Sequence, residues 1–277
     1  MTKTIVVLAA GMSSRMKKSV DLKIDNKKAD EANNKSKSLI TFNNKPFIYF
    51  LLKNILHAGF ENVIMVVGKD FDDFKKQIDI LQLSSKLNVK YAVQKIPIDR
   101  VKPFGTADAV YQTMEQIDEL QTTSFCVCNS DNLYSTSSLK LIRENNYENA
   151  VLAYDRDSLD FPKEKVSSFS ILMMDQEFNL VNFIEKPTPE QVAKNLDENG
   201  KIRVSMNIFK FNGEQAFDFI KNCPINPIRI EKELPSAIVN MISNESLSMR
   251  GIPIAEHVPD LTSKADILTI QKLIDSN

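Results

Sequence analysis

The sequence predicts an α/β fold in which a mostly parallel central sheet lies between layers of helices. Short apolar runs rich in β-branched residues, which are typical of strands buried on both faces, alternate with segments of helical periodicity as far as Ala150. Parallel strands need such helices as crossover connections, and those connections are right-handed. Beyond Ala150 the pattern changes to adjacent strands, which adds a small antiparallel β portion in the second half. We therefore predict a Rossmann-like three-layer sandwich.

The first half of the chain supplies the predicted parallel strands. An apolar run from Ile5 is predicted as a buried strand. Pro46 fits the first turn of a helix, because it has no N–H to donate, and Asn43-Asn44 before it is typical of a turn. Ordered structure is expected to resume at residues 39–42, and further strands are predicted at residues 62–68, 89–94 and 124–129. Helices are predicted at residues 46–59 and 70–81 and from Gly105 onward.

The second half is predicted to add an antiparallel hairpin and several helices. Residues 166–173 and 180–185 flank a polar turn at residues 175–179, which is typical of a hairpin. A further strand is predicted at residues 202–211, and helices from Pro189 and at residues 214–221, 231–242 and 263–274. We find neither an internal repeat nor a linker between two cores, so we expect one domain over residues 1–277.

Composition excludes several classes of function. The 277 residues carry a formal net charge of -1, so no global field favours nucleic acid or an anionic membrane as partner. No apolar run approaches the roughly 20 residues that span a bilayer. Three cysteines, two of them at Cys126 and Cys128 in one predicted strand, favour a reducing, cytoplasmic compartment. The two histidines are too few for a histidine-rich metal site. No feature predicts an oligomeric state.

Residues 17–38 form a polar insertion that we expect to be mobile. The segment is rich in Lys, Asn, Asp and Ser and poor in apolar residues. Such a composition buries too little surface to offset the entropy lost on ordering. The segment leans basic, which leaves two interpretations open. It is either a solvated surface loop or a lid that folds over a bound triphosphate.

The loop after the first predicted strand has the properties of a phosphate-binding turn. Gly11 and the small residues around it allow a ligand to approach the backbone, and successive N–H groups in such a turn cradle phosphate oxygens. Arg15 at the end of the loop is suited to form bidentate hydrogen bonds with the same phosphates. The same residues are also compatible with an ordinary loop that binds no phosphate. Parallel sheets bind ligands at the carboxyl ends of their strands, and we expect the loops at residues 11–15, 94–106 and 131–132 at that edge.

Several motifs of this chain, taken in order, resemble one enzyme family. Leu8-Ala9-Ala10-Gly11-x-Ser13-Ser14-Arg15-Met16 is similar to the signature loop of the sugar-phosphate nucleotidyltransferases, or NDP-sugar pyrophosphorylases. The resemblance continues at Lys37-Ser38-Leu39, Val93-Gln94, Gly105-Thr106-Ala107, Asn129-Ser130-Asp131-Asn132, Phe183-Ile184-Glu185-Lys186-Pro187, Val204-Ser205-Met206-Asn207 and Val258-Pro259-Asp260-Leu261-Thr262. It covers nearly the whole chain, and the order and spacing of the motifs are more specific than any one of them.

The resemblance implies the condensation of an NTP with a sugar phosphate to give an NDP-sugar and pyrophosphate. Catalysis would rest on three cations, with Arg15 and Lys37 on the β- and γ-phosphates and Lys186 on the incoming phosphate. The implied nucleotide-binding residues are Leu8, Ala9, Ala10, Gly11, Gln94, Gly105 and Thr106. The implied sugar-binding residues are Asn132, Glu185 and Asn207. Mg²⁺, which takes oxygen ligands, would bind to Asp131 and Asp260.

Three departures from the family pattern leave the substrate open. Ser13 stands where many sugar-1-phosphate enzymes carry Gly, a variant also found in cytidylyltransferase relatives. Ser38 replaces the usual Pro, and the segment before Lys37 is longer than expected. A cytidylyltransferase acting on a non-sugar or alditol phosphate is therefore an alternative.

Two further alternatives belong to other functional classes. A glycosyltransferase of related architecture typically carries Asp-x-Asp at the metal turn, whereas here Asp131-Asn132-Leu133 occurs. A non-catalytic binding relative would have lost its charged site residues, whereas these are present. Individually, Asp131 could be a helix cap, Lys186 an exposed strand-end charge and Asp260 a turn residue.

Overall fold

A mixed sheet of nine strands forms the centre of the computed structural model, which describes residues 1–21, 23–81, 83, 86–245 and 248–276. The strands are β1 Thr4–Leu8, β2 Thr41–Phe42, β3 Lys45–Pro46, β4 Asn62–Val67, β5 Asn88–Val93, β6 Ser124–Asn129, β7 Ala150–Asp155, β8 Ile171–Met174, β9 Leu180–Ile184, β10 Arg203–Asn212, β11 Ile225–Asn226, β12 Glu231–Lys232 and β13 Arg250–Ile254. The helices are α1 Ser14–Lys18, α2 Asn26–Asn34, α3 Phe47–His57, α4 Asp72–Ile80, α5 Thr106–Gln116, α6 Thr136–Glu144, α7 Lys163–Val166, α8 Pro189–Lys194, α9 Gly213–Lys221, α10 Leu234–Asn244 and α11 Lys264–Asp275.

The sheet runs in the order β13-β7-β10-β6-β1-β4-β5. β1 pairs in parallel with β4 and β6, β4 with β5, and β13 with β7. β10 is antiparallel to both β6 and β7, and it also pairs with β8 of the β8–β9 hairpin. The predicted mostly parallel sheet with a small antiparallel portion in the second half is therefore confirmed.

Helices cover both faces of this sheet because side chains of a strand alternate between its faces. Ile5 and Val7 of β1 pack into one buried apolar cluster with α3, whereas Val6 packs into the opposite cluster with α5. The three-layer arrangement is therefore confirmed. None of the helices described is long and apolar enough to cross a membrane.

Some element boundaries differ from the predictions. The predicted helix at residues 231–242 begins instead at Leu234, because Pro235 is tolerated only in the first turn of a helix. The two residues before it, Glu231 and Lys232, form strand β12. Residues 163–166 are helical, so the predicted strand at 166–173 begins at Ile171. Strands β7 and β13 were missing from the prediction, although all six residues of β7 are buried in the sheet.

The polar insertion at residues 17–38 contains short helices among its described residues, and its mobility stays a prediction. Helix α2 begins after Asp25, whose side chain accepts a hydrogen bond from the Lys28 N–H. Ala32 is buried in a cluster with residues of α11. Glu31 accepts hydrogen bonds from both the N–H and the hydroxyl of Thr41, each at 2.9 Å. A buried, fully bonded carboxylate thus helps to anchor a helix that has few apolar side chains. Its role as a lid stays a prediction.

Candidate active site

A cavity of about 370 Å³ opens at the carboxyl ends of β1, β4, β5 and β6. Most of its wall comes from three loops at that edge. The lining residues include Leu8, Ala9, Ala10, Gly11, Met12, Ser14, Ser36, Lys37, Ser38, Gln94, Gly105, Thr106, Ser130 and Asp131. All seven residues predicted to bind the nucleotide therefore line one cavity, together with Lys37 and Asp131.

The first loop is held by its neighbours on both sides. The Ala9 N–H donates to the Val66 carbonyl at 2.8 Å, and the Ser130 N–H donates to the Leu8 carbonyl at 3.1 Å. Ser13 adopts a left-handed conformation, with φ 54° and ψ 29°, just before α1 begins. Glycine adopts this conformation without strain, which gives a physical reason for Gly at this position in related sequences.

Two serines at departures from the family pattern connect the segments of the site. The Ser13 hydroxyl accepts a hydrogen bond from the Lys37 N–H at 3.1 Å. The Ser38 and Ser130 hydroxyls lie 2.8 Å apart and both side chains are buried. The first loop, the Lys37 segment and the turn before Asp131 are therefore joined by side-chain hydrogen bonds.

The structure brings Asp131 and Asp260 into neighbouring positions. Asn132 and Asp260 form an antiparallel bridge, and the Leu261 N–H donates to the Asp131 carbonyl at 2.8 Å. Burial raises the pKa of Asp260, and the negative charge of Asp131 raises it further. The two carboxylates, which are far apart in the sequence, thus interact electrostatically.

Each of these carboxylates also has a lysine partner. The Lys37 ammonium pairs with Asp131, and Lys165 Nζ lies 3.1 Å from Asp260 Oδ2. The Thr262 hydroxyl donates to Asp260 Oδ1 at 2.7 Å. Lys165 was missed by the sequence analysis, because it belongs to none of the motifs and lies in a segment whose helix was not predicted.

The predicted pair of metal ligands suits Mg²⁺ in number and in kind. No group of three or more His, Cys, Asp or Glu side chains suited to a metal is found among the described residues. Mg²⁺ is usually held by only one or two carboxylates, with substrate phosphates and water completing its shell. Asp131 and Asp260, adjacent and with Asp131 on the cavity wall, therefore fit such an ion.

The Gln94 end of the cavity is constrained by internal hydrogen bonds. Gln94 Nε2 donates to the Gly105 carbonyl at 3.0 Å and to Asp108 Oδ2 at 2.8 Å, which engages both amide hydrogens. Its Oε1 is the atom left to face a ligand, as an acceptor. Gly105 has φ 110°, and a Cβ there would overlap the Lys232 carbonyl oxygen. Close packing against β12 thus requires glycine at this position, whatever the ligand.

Two of the three predicted catalytic cations lie outside the cavity wall. Arg15 is exposed on α1, and Lys186 is exposed at the end of β9 with φ 47°. Lys37 lies on the cavity wall, whereas Arg15 and Lys186 do not. In this conformation the cavity therefore holds one of the three predicted cations, together with Lys102, which the sequence analysis did not single out.

The predicted sugar-binding residues are dispersed. Asn132 is buried, with its Oδ1 3.4 Å from the Tyr134 hydroxyl. Glu185 lines a separate cavity beside Pro235, whereas Asn207 is exposed at an irregularity of β10 with φ 56°. The structure does not gather these side chains on the wall of the 370 Å³ cavity.

Two glutamates on the cavity wall were not predicted. Glu231 and Glu233 flank Lys232, so strand-like alternation directs both toward the cavity. Burial raises the pKa of Glu233, and the positive charge of the nearby Arg229 partly offsets this increase. The sequence analysis predicted a helix at residues 231–242 and therefore did not recognise the strand-like alternation that places Glu231 and Glu233 on one side.

The family model described as nucleotidyl transferase matches residues 32–252. The bifunctional protein GlmU of Staphylococcus saprophyticus is 24% identical over 260 residues, which cover 94% of this chain and 49% of that protein. A glucose-1-phosphate adenylyltransferase of Hydrogenovibrio crunogenus is 23% identical over 228 residues, covering 80% of this chain and 50% of that protein. The chain thus spans about half the length of these curated relatives.

A shorter relative and a solved structure are similar over more of their own length. A putative UTP–glucose-1-phosphate uridylyltransferase of Methanocaldococcus jannaschii is 26% identical over 194 residues, 63% of this chain and 66% of that protein. The crystal structure of UDP-glucose pyrophosphorylase complexed with UDP-glucose superposes with a TM-score of 0.70 at 15% identity, covering 100% of this chain and 99% of that one. This structural likeness shows a shared fold. With the family model matching most of the sequence, and with the signature loop on the wall of the cavity, the chain belongs to the nucleotidyl transferase family.

Proposed function

We propose that this protein condenses an NTP with a sugar phosphate to give an NDP-sugar and pyrophosphate. The observation that carries the proposal is the joint position of the first loop, the Lys37 segment and Asp131 on one cavity wall. Phosphoryl-type transfer asks a protein mainly for positioning and charge neutralisation. A cavity that combines a small-residue loop, a lysine and a carboxylate meets both needs.

On the nucleotide side, the loop of residues 8–11 would hold the nucleotide and its backbone N–H groups would face phosphate oxygens. Lys37 would neutralise the β- and γ-phosphates, assisted by Arg15 from the adjacent helix α1. Gln94 Oε1 would accept a hydrogen bond from the base, because the amide hydrogens of Gln94 are already engaged. Gly105 and Thr106 would line the base end of the cavity.

The metal is part of the proposal, with Asp131 and Asp260 as the residues that would hold Mg²⁺. When bound, Mg²⁺ would neutralise negative charge on the phosphates of the two anionic substrates. The protein's own contribution is to hold the two carboxylates side by side. Thr262 and Lys165 fix the orientation of the Asp260 carboxylate from either side.

Lys186, Glu185, Asn132 and Asn207 are proposed to serve the phosphosugar. Lys186 and Asn207 are exposed and have positive φ angles of 47° and 56°. Non-glycine residues in this conformation carry backbone strain that clusters at functional sites. This supports a ligand-binding role for both positions. Since Asn132 is buried, it would contribute by supporting the turn that carries Asp131.

We also propose a cytoplasmic location. The three cysteines are free and buried in the described structure. Thiols that remain unpaired are usual in a reducing compartment. Fractionation of the source cells would test this directly, with activity and protein expected in the soluble fraction.

The test of function is a panel of four NTPs against several sugar phosphates and alditol phosphates, scored by pyrophosphate release. UTP or ATP with glucose 1-phosphate is the first combination to try, because one relative is named for UTP and glucose 1-phosphate and another for adenylyl transfer to glucose 1-phosphate. A cytidylyltransferase would respond to CTP with an alditol phosphate. A glycosyltransferase would consume a ready-made NDP-sugar and release no pyrophosphate. Absence of release from every combination would refute the proposal.

A further inference from the structure

Lys165 is held in place by three contacts. Its ammonium nitrogen lies 3.1 Å from Asp260 Oδ2, 3.4 Å from Asp266 Oδ1 and 4.3 Å from the centroid of the Phe161 ring. The side chain is 24% exposed, compared with 13% for Asp260. Lys165 is therefore a fixed, partly buried cation, unlike a lysine that is free in solvent.

The two carboxylates beside Lys165 differ in how well their charge is compensated. Asp266 accepts hydrogen bonds from the Thr262 N–H, the Ser263 N–H and the Ser263 hydroxyl at the start of α11. Asp260 accepts one from the Thr262 hydroxyl and adjoins the negative charge of Asp131. Asp260 is thus the carboxylate with more need of a counter-ion.

The neighbouring carboxylate has the same arrangement, since Lys37 pairs with Asp131. Asp131 and Asp260 thus each have one ammonium partner, and Lys165 is shared with Asp266. A divalent cation that binds both carboxylates meets repulsion from both lysines, because each ammonium group pairs with one of these carboxylates. The triphosphate oxygens of a bound nucleotide supply negative charge that offsets this repulsion between the divalent cation and the lysines.

We propose that Lys165 is a built-in counter-ion of Asp260, which keeps the carboxylate pair assembled and disfavours the divalent cation until the nucleotide supplies further negative charge. The inference rests on the proposed function in assigning Mg²⁺ to Asp131 and Asp260. Lys165 is a positioning residue in this arrangement. It makes the binding of metal and of nucleotide mutually dependent.

The first test is a double-mutant cycle in EDTA, with the free energy of unfolding as readout. Lys165→Met removes the ammonium group, and we expect this loss of stability to shrink in the Asp260→Asn background. Lys163→Met is the control, because Lys163 is exposed on the same helix and forms no ion pair within the described part of the chain. An equal loss in both backgrounds would place the main partner of Lys165 at Asp266 and overturn the proposal.

The second test measures Mn²⁺ binding without nucleotide, by electron paramagnetic resonance of the free ion. Lys165→Met is expected to bind Mn²⁺ roughly three- to tenfold more tightly than the wild type, since one repelling charge is removed. Lys165→Arg and Lys163→Met are expected to match the wild type. A bound non-hydrolysable NTP should reduce the difference in Mn²⁺ affinity between Lys165→Met and the wild type. If Lys165→Met does not fold, Lys165→Gln serves the same comparison.

Equal or weaker Mn²⁺ binding by the charge-removing variant would overturn the proposal, as would undetectable binding by both proteins. Failure of the proposed function is distinguishable from these outcomes. Pyrophosphate release measures the reaction, whereas the unfolding cycle and the Mn²⁺ titration are done without substrate turnover. If the protein released no pyrophosphate but gave the expected results in both tests, the role of Lys165 as counter-ion would stand and the proposed reaction would be refuted.

Discussion

The hydroxyl oxygens of Ser38 and Ser130 lie 2.8 Å apart, and the two residues are 1% and 3% exposed. Ser38 follows Lys37, and Ser130 precedes Asp131, so this contact lies beside the ion pair between those charged residues. A proline at position 38 would have no hydroxyl to offer. The departure from the family pattern is therefore compensated by a hydrogen bond that holds two walls of the cavity together.

Ser38→Ala is expected to lower the free energy of unfolding by about 1–2 kcal/mol, because the buried Ser130 hydroxyl loses its partner. Ser130→Ala should lower the free energy of unfolding less in the Ser38→Ala background than in the wild type. In that background it removes a hydroxyl that already lacks its partner. Urea unfolding of the two single variants and the double variant measures this coupling. Strictly additive losses would show that the two hydroxyls do not interact.

Asp131→Asn is expected to lower turnover by at least about a hundredfold, because a metal ion contributes several kcal/mol of charge stabilisation. The substitution keeps the shape of the side chain and removes its charge. Steady-state pyrophosphate release at ordinary Mg²⁺ measures the effect. Near-normal turnover would refute the assignment of Asp131 as a metal ligand, and thermal unfolding of the variant controls for misfolding.

The two ends of the reaction should separate in kinetics. Lys186→Ala is expected to raise the KM for the phosphosugar about tenfold with little change for the NTP, and Arg15→Ala to do the reverse. Each cation is assigned to a different phosphate group, and charge-assisted hydrogen bonds set the size of the effect. Both side chains are exposed, so the fold should tolerate either change. Equal loss of NTP affinity in both variants would contradict this division.

Asp260→Asn should alter stability in a pH-dependent way. Burial and then the charge of Asp131 raise the pKa of Asp260 above its ordinary 3.8. Such a group stabilises the fold below the unfolded pKa, and this contribution is lost as the pH rises through the folded pKa. The wild type should therefore lose stability relative to Asp260→Asn from about pH 4 upward. Urea unfolding in EDTA across this range measures the difference, which would stay constant if Asp260 titrated normally.

Nucleotide is expected to protect residues 17–38 from trypsin, as the lid hypothesis requires. Lys27 and Lys28 lie in the first turns of α2, and α2 follows the phosphate loop and α1 along the chain. Mass spectrometry of fragments formed with and without NTP locates the cleavage. Equal cleavage in both conditions would favour a helix that takes no part in binding.

Much of the candidate site was predictable because its signals are local. The apolar run of β1 and the small residues after it are contiguous in the sequence, so both the strand and the loop could be recognised. The alternation of strands and helices predicted the sheet edge at which Gln94 and Asp131 lie. Glu231 and Glu233 were missed, because the same residues fit a helical pattern until Pro235 is considered.

By itself the sequence determined the α/β class, the family and the residues that the family motifs contain, because these depend on short patterns and on their order. Only the tertiary structure decided which charges meet. Asp131 adjoins Asp260 because an antiparallel bridge pairs Asn132 with Asp260, and Lys165 reaches Asp260 from a short helix that no motif marks. Electrostatic energies depend on distances of a few ångströms and on burial. Those quantities are set when distant segments pack together, and no local pattern of residues contains them.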